Sequence, residues 1–336
     1  MSETTSITVL GAGAFGTALS MMLAGKGFRV RLWAFEEEVA AQINAEHENG
    51  MYLRGFRLPA TIAASSRLDE ALPGAELIVV VTPSHVVRTV MMAAAPYIPP
   101  GTSIVCAAKG IESDTCLTMN ELLEDVLPAL HHPHLAFLSG PSFAREVAQG
   151  LPTAVSIAAY MERHAKKVQG LFAAPFFRTY YTNDVVGVEI GGAAKNVIAI
   201  AAGISDGLAL GLNTRAALIT RGLAEITRLG VAKGANPMTL AGLSGMGDLV
   251  LTCTGELSRN RTVGVKLGQG MALAEILGDG HAVAEGVKNA ASVTQLASRL
   301  GVEMPICEQV YQILYEGKPA AQGLIDLMSR GLKREA

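Results

Sequence analysis

One lysine stands where a charge is expensive. Lys195 lies in Gly191-Gly192-Ala193-Ala194-Lys195-Asn196-Val197-Ile198-Ala199-Ile200-Ala201-Ala202, where nearly every neighbour is small or apolar. Burying an ammonium is costly unless it is paired, and desolvation lowers an amine pKa toward the range useful for proton transfer. Lys195 is therefore the candidate proton donor and acceptor; snorkelling of its stem to solvent is the alternative. Asp206 and Asp248 are its candidate charge partners, Asp248 in the glycine-rich turn Gly245-Met246-Gly247-Asp248-Leu249. Further on, Ser258-Arg259-Asn260-Arg261 gathers hydrogen-bond donors. Arg259 offers a planar fork suited to phosphate or carboxylate, and Ser258 and Asn260 add directional bonds, with a solvated loop as the alternative.

Three sites in the first half bear on ligands. Ser6-Ile7-Thr8-Val9-Leu10 runs into Gly11-Ala12-Gly13-Ala14-Phe15-Gly16, and a helical pattern follows. A strand before GxGxxG and a helix after it make the dinucleotide-binding, Rossmann-type fingerprint. Gly11 permits the tight turn, Gly13 lets the backbone approach a pyrophosphate, and Gly16 lets helix pack on strand. Glu36 lies 20 residues beyond Gly16, where an acid can bind the ribose hydroxyls of NAD; it also reads as a first-turn helix acid. Phe35 either stacks on adenine or packs. Arg31 and Arg54 are candidates for the 2′-phosphate of NADP. Lys109 closes the run Ser103–Ala108, where doubly wound sheets place ligands, and it also reads as a surface lysine capping a strand. Ser139-Gly140-Pro141-Ser142-Phe143-Ala144 follows another apolar run. Gly140 allows close backbone approach, and Ser142 reads as a helix N-cap or as part of a donor set for substrate.

These residues need elements to hold them. Strands are expected at Ile7–Leu10, Arg29–Trp33, Leu77–Val81, Ser103–Ala107, Leu135–Leu138 and Ala154–Ala158, with helices between them at Ala14–Ala24, Glu36–Ala45 and Leu117–Leu127. Continuous apolar strands alternating with helices imply βαβ units in an open doubly wound α/β sheet covered on both faces. The pattern changes near Asp184. From Val185 the chain reads as helices, including Gly192–Ala202, Arg215–Leu229, Ala284–Leu300 and Glu308–Tyr315. The expectation is a dinucleotide-binding domain over residues 1–184 and an all-α substrate and catalytic domain over 185–336.

Composition narrows the function. The 336 residues carry 27 Lys+Arg against 30 Asp+Glu, a net charge of −3. That is no global electrostatic case for nucleic acid or an anionic membrane, while leaving room for a small basic pocket. With 50% hydrophobic residues the chain can bury a large core, so intrinsic disorder is excluded as its main state. Cys106, Cys116, Cys253 and Cys307 form no CxxC and no Cys/His cluster. They read as buried thiols in a reducing compartment, with no metal site and, at Cys253, no nucleophile. The longest apolar stretch, Val185 to Leu212, is broken by Glu189, Lys195 and Asp206, and the N-terminus lacks a basic n-region. A cytoplasmic protein without membrane insertion is expected.

Six blocks together resemble one family. Gly11–Gly16, Ser139–Ala144, Gly191–Ile200, Ala217–Glu225, Gly245–Thr254 and Ser258–Arg261 are similar, in order and spacing over essentially the whole chain, to the NAD(P)-dependent glycerol-3-phosphate dehydrogenases. The resemblance implies reversible reduction of dihydroxyacetone phosphate to sn-glycerol 3-phosphate with NAD(P)H, supplying glycerophospholipid synthesis. It implies that Lys195 is the proton donor and acceptor, oriented by Asp248. Substrate positions would be Lys109, Gly140, Ser142, Lys195, Asp248, Ser258, Arg259 and Asn260, with Arg259 and Asn260 at the phosphate end. Cofactor positions would be Ala14, Phe15, Phe35, Lys109, Ala144, Arg259, Val283 and Glu285, beside the fingerprint glycines Gly11, Gly13 and Gly16 and the acid Glu36. Ala14 stands where bacterial members often have Ser, removing one hydroxyl contact to the pyrophosphate. The run Trp33–Glu37 looks more like the NAD-preferring eukaryotic branch, so NAD is favoured over NADP. The expected partner is a small phosphate substrate, and a homodimer is compatible with the reading. A related dehydrogenase of another small hydroxy acid, and a non-catalytic NAD-binding sensor, are the alternatives.

Overall fold

The computed structural model describes residues 5–278, 284–332 and 334. The chain divides into two compact units, one of residues up to Glu189 except Ser113–Cys116, the other of Ser113–Cys116 and Ile190 onward.

The first unit is built on an eight-stranded sheet: β1 (Ser6–Leu10), β2 (Arg29–Trp33), β3 (Ile62–Ser65), β4 (Leu77–Val80), β5 (Ser103–Cys106), β6 (Leu135–Ser139), β7 (Thr153–Ala158) and β8 (Phe177–Thr182). Their order is β3-β2-β1-β4-β5-β6-β7-β8. All neighbours run parallel except β6 and β7, which are antiparallel. The helices are α1 (Ala14–Gly25), α2 (Glu37–Glu46), α3 (Leu68–Ala71), α4 (Val87–Ala94), α5 (Met119–Val126), α6 (Ala144–Ala148) and α7 (Glu162–Phe172).

The continuous apolar strands are explained by burial on both faces. Ile7 and Val9 of β1, Leu77 and Val79 of β4, and Val105 of β5 point into a layer with Leu19, Leu23, Val168 and Phe172. The alternate residues Leu10, Ile78, Val80, Ile104 and Cys106 point into a second layer with Met91, Leu122 and Leu123. Successive strand residues face opposite sides, so both sets must be apolar. The strand order reverses between β1 and β4, and ligands of such sheets bind outside the carboxyl ends at that switch. Two strands were not legible in the pattern. β3 and β8 lie at the sheet edges; only Ile62 of β3 is buried, and β8 exposes Arg178, Tyr180 and Tyr181.

The second unit is helical, and among the described residues no strand follows Thr182. Its helices are α8 (Val185–Gly207, which begins in the first unit), α9 (Gly211–Ala232), α10 (Pro237–Leu240), α11 (Asp248–Thr254), α12 (Arg259–Gly268), α13 (Leu273–Leu277), α14 (Glu285–Arg299), α15 (Pro305–Tyr315) and α16 (Ala320–Met328). Among the described residues α8 is the one helix long and apolar enough to cross a membrane, but 89% of its apolar 18-residue stretch is buried within the protein, as in a core helix. Small residues let α12 lie against it. A Cβ on Gly203 would stand 2.1 Å from the Arg261 carbonyl oxygen, and one on Gly264 2.1 Å from that of Ile200. This approach holds the start of α12 beside the middle of α8. All four cysteines are buried thiols.

Candidate active site

In the helical unit, Lys195 projects from the middle of α8 and is 6% exposed. Its Nζ donates to Asp248 Oδ1 at 2.6 Å and to Thr252 Oγ1 at 2.8 Å. Asp248 opens α11 directly after a π-helical turn at Leu243–Gly247, and Thr252 lies one turn later on the same face. The Thr252 hydroxyl donates its hydrogen to the Asp248 carbonyl at 2.6 Å, so its lone pair accepts from the lysine. A buried ammonium is thus held against a buried carboxylate, the compensation such a charge requires. Asp206, the other candidate partner, binds Arg261 at 2.7 Å and Arg215 at 3.3 Å instead. Arg261 therefore braces the helices rather than joining a donor set with its neighbours. Cys253 is completely buried, which pushes its thiol up to about 12 and fits no role as a nucleophile.

Ser258, Arg259 and Asn260 form the start of α12. Ser258 is the N-cap, its Oγ accepting from Arg261 N at 3.2 Å. Arg259 is the first helical residue and exposed, so its fork and the helix N-terminus stand together. Asn260 is buried and ties three helices: Nδ2 donates to Asn196 Oδ1 at 2.9 Å, and Oδ1 accepts from Gly286 N at 2.9 Å. Asn196, next to Lys195, thereby locks α8 to α12 and α14.

In the sheet unit the glycine-rich loop has the expected geometry. Gly11 has φ +115°, and a Cβ on Gly16 would meet the Gly11 carbonyl oxygen at 1.9 Å. A Cβ on Gly13 would project into open space, as backbone intended for a ligand should. No side chain caps α1 and no acid occupies its first turn. Its first amides are placed to receive an anion. Beyond β4 and at the end of β6, Thr82 Oγ1 and Ser139 Oγ are buried with no hydrogen-bond partner among the described residues. An open cradle of amides with orphaned hydroxyls at the carboxyl ends of the strands fits a bound dinucleotide.

Lys109, Gly140 and Ser142 come together. The Gly140 carbonyl accepts from Lys109 Nζ at 3.1 Å and from Ser142 Oγ at 3.0 Å. Gly140 has φ +138° and lies against Val155, so a side chain is excluded twice over. Ser142 is not a helix cap, because α6 begins at Ala144 with Phe143 as its N-cap residue. Glu36 is the N-cap residue of α2, and its Oε1 accepts from Tyr52 Oη at 2.7 Å. Phe35 is 80% exposed, its ring edge-on to Trp33 at 6.5 Å. Arg31 is spent elsewhere, on the carbonyls of Pro73 at 2.5 Å and Ala71 at 3.4 Å.

Two family descriptions match successive parts of the chain. The family described as NAD-dependent glycerol-3-phosphate dehydrogenase N-terminus matches residues 6–165, and its C-terminus counterpart matches residues 184–324. The chain belongs to the NAD-dependent glycerol-3-phosphate dehydrogenase family. It is 59% identical over 329 residues to the glycerol-3-phosphate dehydrogenase (NAD(P)+) of Geobacter metallireducens, covering 98% of each. It is 57% identical over 328 residues to that of Anaeromyxobacter dehalogenans, covering 98% of this chain and 99% of the relative. The crystal structure of glycerol-3-phosphate dehydrogenase from Coxiella burnetii matches with a TM-score of 0.92 at 40% identity, covering 97% of this chain and 99% of that one.

In this glycerol-3-phosphate dehydrogenase family member three helix starts carry expected cofactor positions. Ala14 and Phe15 open α1, Ala144 opens α6, and Glu285 opens α14, all half-buried. Val283 lies outside the described residues. Thr252 and Tyr52 were not singled out in the sequence. Thr252 had a signal, its i+4 spacing from Asp248 on a helix; Tyr52 had none, because its contact with Glu36 is made by a turn.

Proposed function

We propose that the chain reversibly reduces dihydroxyacetone phosphate to sn-glycerol 3-phosphate, feeding glycerophospholipid synthesis. The observation that carries this reading is the buried Lys195, held by Asp248 and Thr252 in a family whose name is that activity. When bound, reduced nicotinamide supplies the hydride that goes to the C2 carbonyl carbon. Lys195 binds the C2 oxygen through its ammonium and delivers the proton as that oxygen becomes an alcohol; in the reverse direction it takes the proton back. Asp248 keeps the ammonium charge compensated, and Thr252 fixes its direction. Arg259 and the start of α12 hold the substrate phosphate, with Asn260 and Ser258 setting the geometry of that turn. Lys109, Gly140 and Ser142 are further substrate positions, and Lys109 also serves the cofactor.

Gly11, Gly13, Ala14, Phe15 and Gly16 would hold the dinucleotide phosphates, and Phe35 and Glu36 its adenosine. Ala144, Arg259, Val283 and Glu285 complete the cofactor set. NAD is favoured, because Glu36 is held in place while Arg31 is tied to other carbonyls. The buried thiols suit a reducing, cytoplasmic setting.

The test is NADH oxidation followed with dihydroxyacetone phosphate and with dihydroxyacetone. Much faster turnover of the phosphorylated substrate is expected, with only poor use of dihydroxyacetone. Equal use of both would remove the phosphate role, and preference for a small keto acid would favour the hydroxy-acid alternative.

A further inference from the structure

Glu36 does not stand unsupported. Its Oε1 accepts from the Tyr52 hydroxyl at 2.7 Å. Burial, and then Glu36 itself, hold that phenol up to about 12, so it stays a donor through the neutral range. Tyr52 belongs to a turn that is anchored at its other end. Asn49 is completely buried, and its Nδ2 donates to the Ala12 carbonyl at 2.7 Å and to Thr17 Oγ1 at 2.8 Å. The same side chain receives Tyr52 N on its Oδ1 at 3.1 Å, and its carbonyl receives Leu53 N at 2.9 Å. One short turn, residues 49–53, thus grips the glycine-rich loop with Asn49 and the carboxylate after β2 with Tyr52.

This bracket has a chemical consequence. A carboxylate after the second strand serves vicinal ribose hydroxyls only while it faces them, and it repels a 2′-phosphate only while it cannot turn away. A single neutral donor on one oxygen holds the group in place and leaves its charge and second oxygen for the ligand. We propose that Tyr52 is a positioning residue that sets the Glu36 carboxylate for the ribose diol of NADH and against the 2′-phosphate of NADPH, at a distance from the glycine-rich loop fixed by Asn49. The inference rests on the reading that the sheet unit binds a nicotinamide dinucleotide.

The experiment measures Kd for NADH and for NADPH by titration calorimetry on the intact chain, without turnover. The unaltered chain should bind NADH more tightly. Tyr52→Phe should shrink the NADH-to-NADPH preference about tenfold, the scale of one hydrogen bond to a charged group. Glu36→Gln should shrink it too, and adding Tyr52→Phe to Glu36→Gln should change the preference no further. An unchanged preference in a folded Tyr52→Phe chain, or an equal loss for both cofactors, overturns the proposal. If Tyr52→Phe fails to fold, Glu36→Gln decides by itself, since an unaltered preference there removes the group that Tyr52 would position. NADPH preference in the unaltered chain also overturns it and points to Arg54. Binding of neither dinucleotide would instead fail the parent reading.

Discussion

Around Gly11–Gly16 the chain lays its backbone open, whereas around Lys195 it encloses a side chain. The first region works by subtraction. Missing Cβ atoms leave amides open to an anion, and no side chain of the first turn supplies charge. The second works by enclosure: a charged group is taken out of water and held by Asp248 and Thr252, so its direction is set before a substrate arrives. Backbone recognition tolerates no added atom, and enclosed side-chain chemistry tolerates no lost one.

The largest expected effect comes from deleting the enclosed atom. Lys195→Ala should lower kcat by at least about a hundredfold, the low end for general acid–base catalysis, with NADH affinity retained. It removes the ammonium held against the buried Asp248 carboxylate, so Tm should fall as well, and binding must be read well below the new Tm. Wild-type kcat in this variant would end the assignment.

Adding one atom tests the other region. Gly13→Ala should leave Tm unchanged, because φ is −63° and the new Cβ meets nothing within 4 Å. Its NADH affinity should nevertheless fall roughly tenfold through the blocked approach of the pyrophosphate. Gly16→Ala should lose stability and binding together, since its Cβ would sit 1.9 Å from a carbonyl oxygen. Identical thermal behaviour of the two variants would contradict the geometry.

A smaller change sharpens the side-chain half. Arg259→Lys keeps charge at the first residue of α12 but loses the fork. kcat/KM for dihydroxyacetone phosphate should drop about tenfold, with little change for dihydroxyacetone. Because Arg259 is also a proposed cofactor contact, KM for NADH is measured alongside; equal loss on both substrates removes the phosphate role.

The smallest effect concerns stability. Glu225 of α9 accepts from Ile306 N at 2.8 Å and Cys307 N at 3.3 Å, at the start of α15. Burial outweighs these amides and raises its carboxyl to about 7 from 4.5. The folded state therefore holds this proton more tightly than the unfolded chain. Its contribution to stability is complete below about pH 4.5 and is lost as pH rises through 7. Glu225→Gln keeps an acceptor without the titration. Melting curves from pH 5 to 8 should show a shallower decline in Tm for Glu225→Gln, and parallel curves would show that Glu225 does not titrate there.

How much could be read in advance follows from the same contrast. The glycine-rich loop was legible because backbone demands appear directly as residue types. The strands β1, β4 and β5 were legible because burial on both faces leaves no polar position. The edge strands β3 and β8 were not, since one exposed side erases the apolar run. Lys195 stood out against its neighbours, but its partner stayed open between Asp206 and Asp248. Asp206 lies 11 residues further along the same helix, about 16 Å at 1.5 Å per residue, while Asp248 is brought in by another element. Ser142 looked like a cap because nothing local shows that α6 begins two residues later.

Local sterics and the cost of burial are written residue by residue, so the α/β-then-helical order, the glycine-rich loop and the lysine that had to be compensated could be read from the chain alone. Packing chose which carboxylate compensates Lys195, and it alone brought Thr252 to the lysine's second hydrogen bond, Asn260 between helices and Tyr52 onto Glu36. Those choices depend on groups from distant segments meeting within hydrogen-bond distance, and that distance is set by packing, as where Gly203 and Gly264 let two helices close.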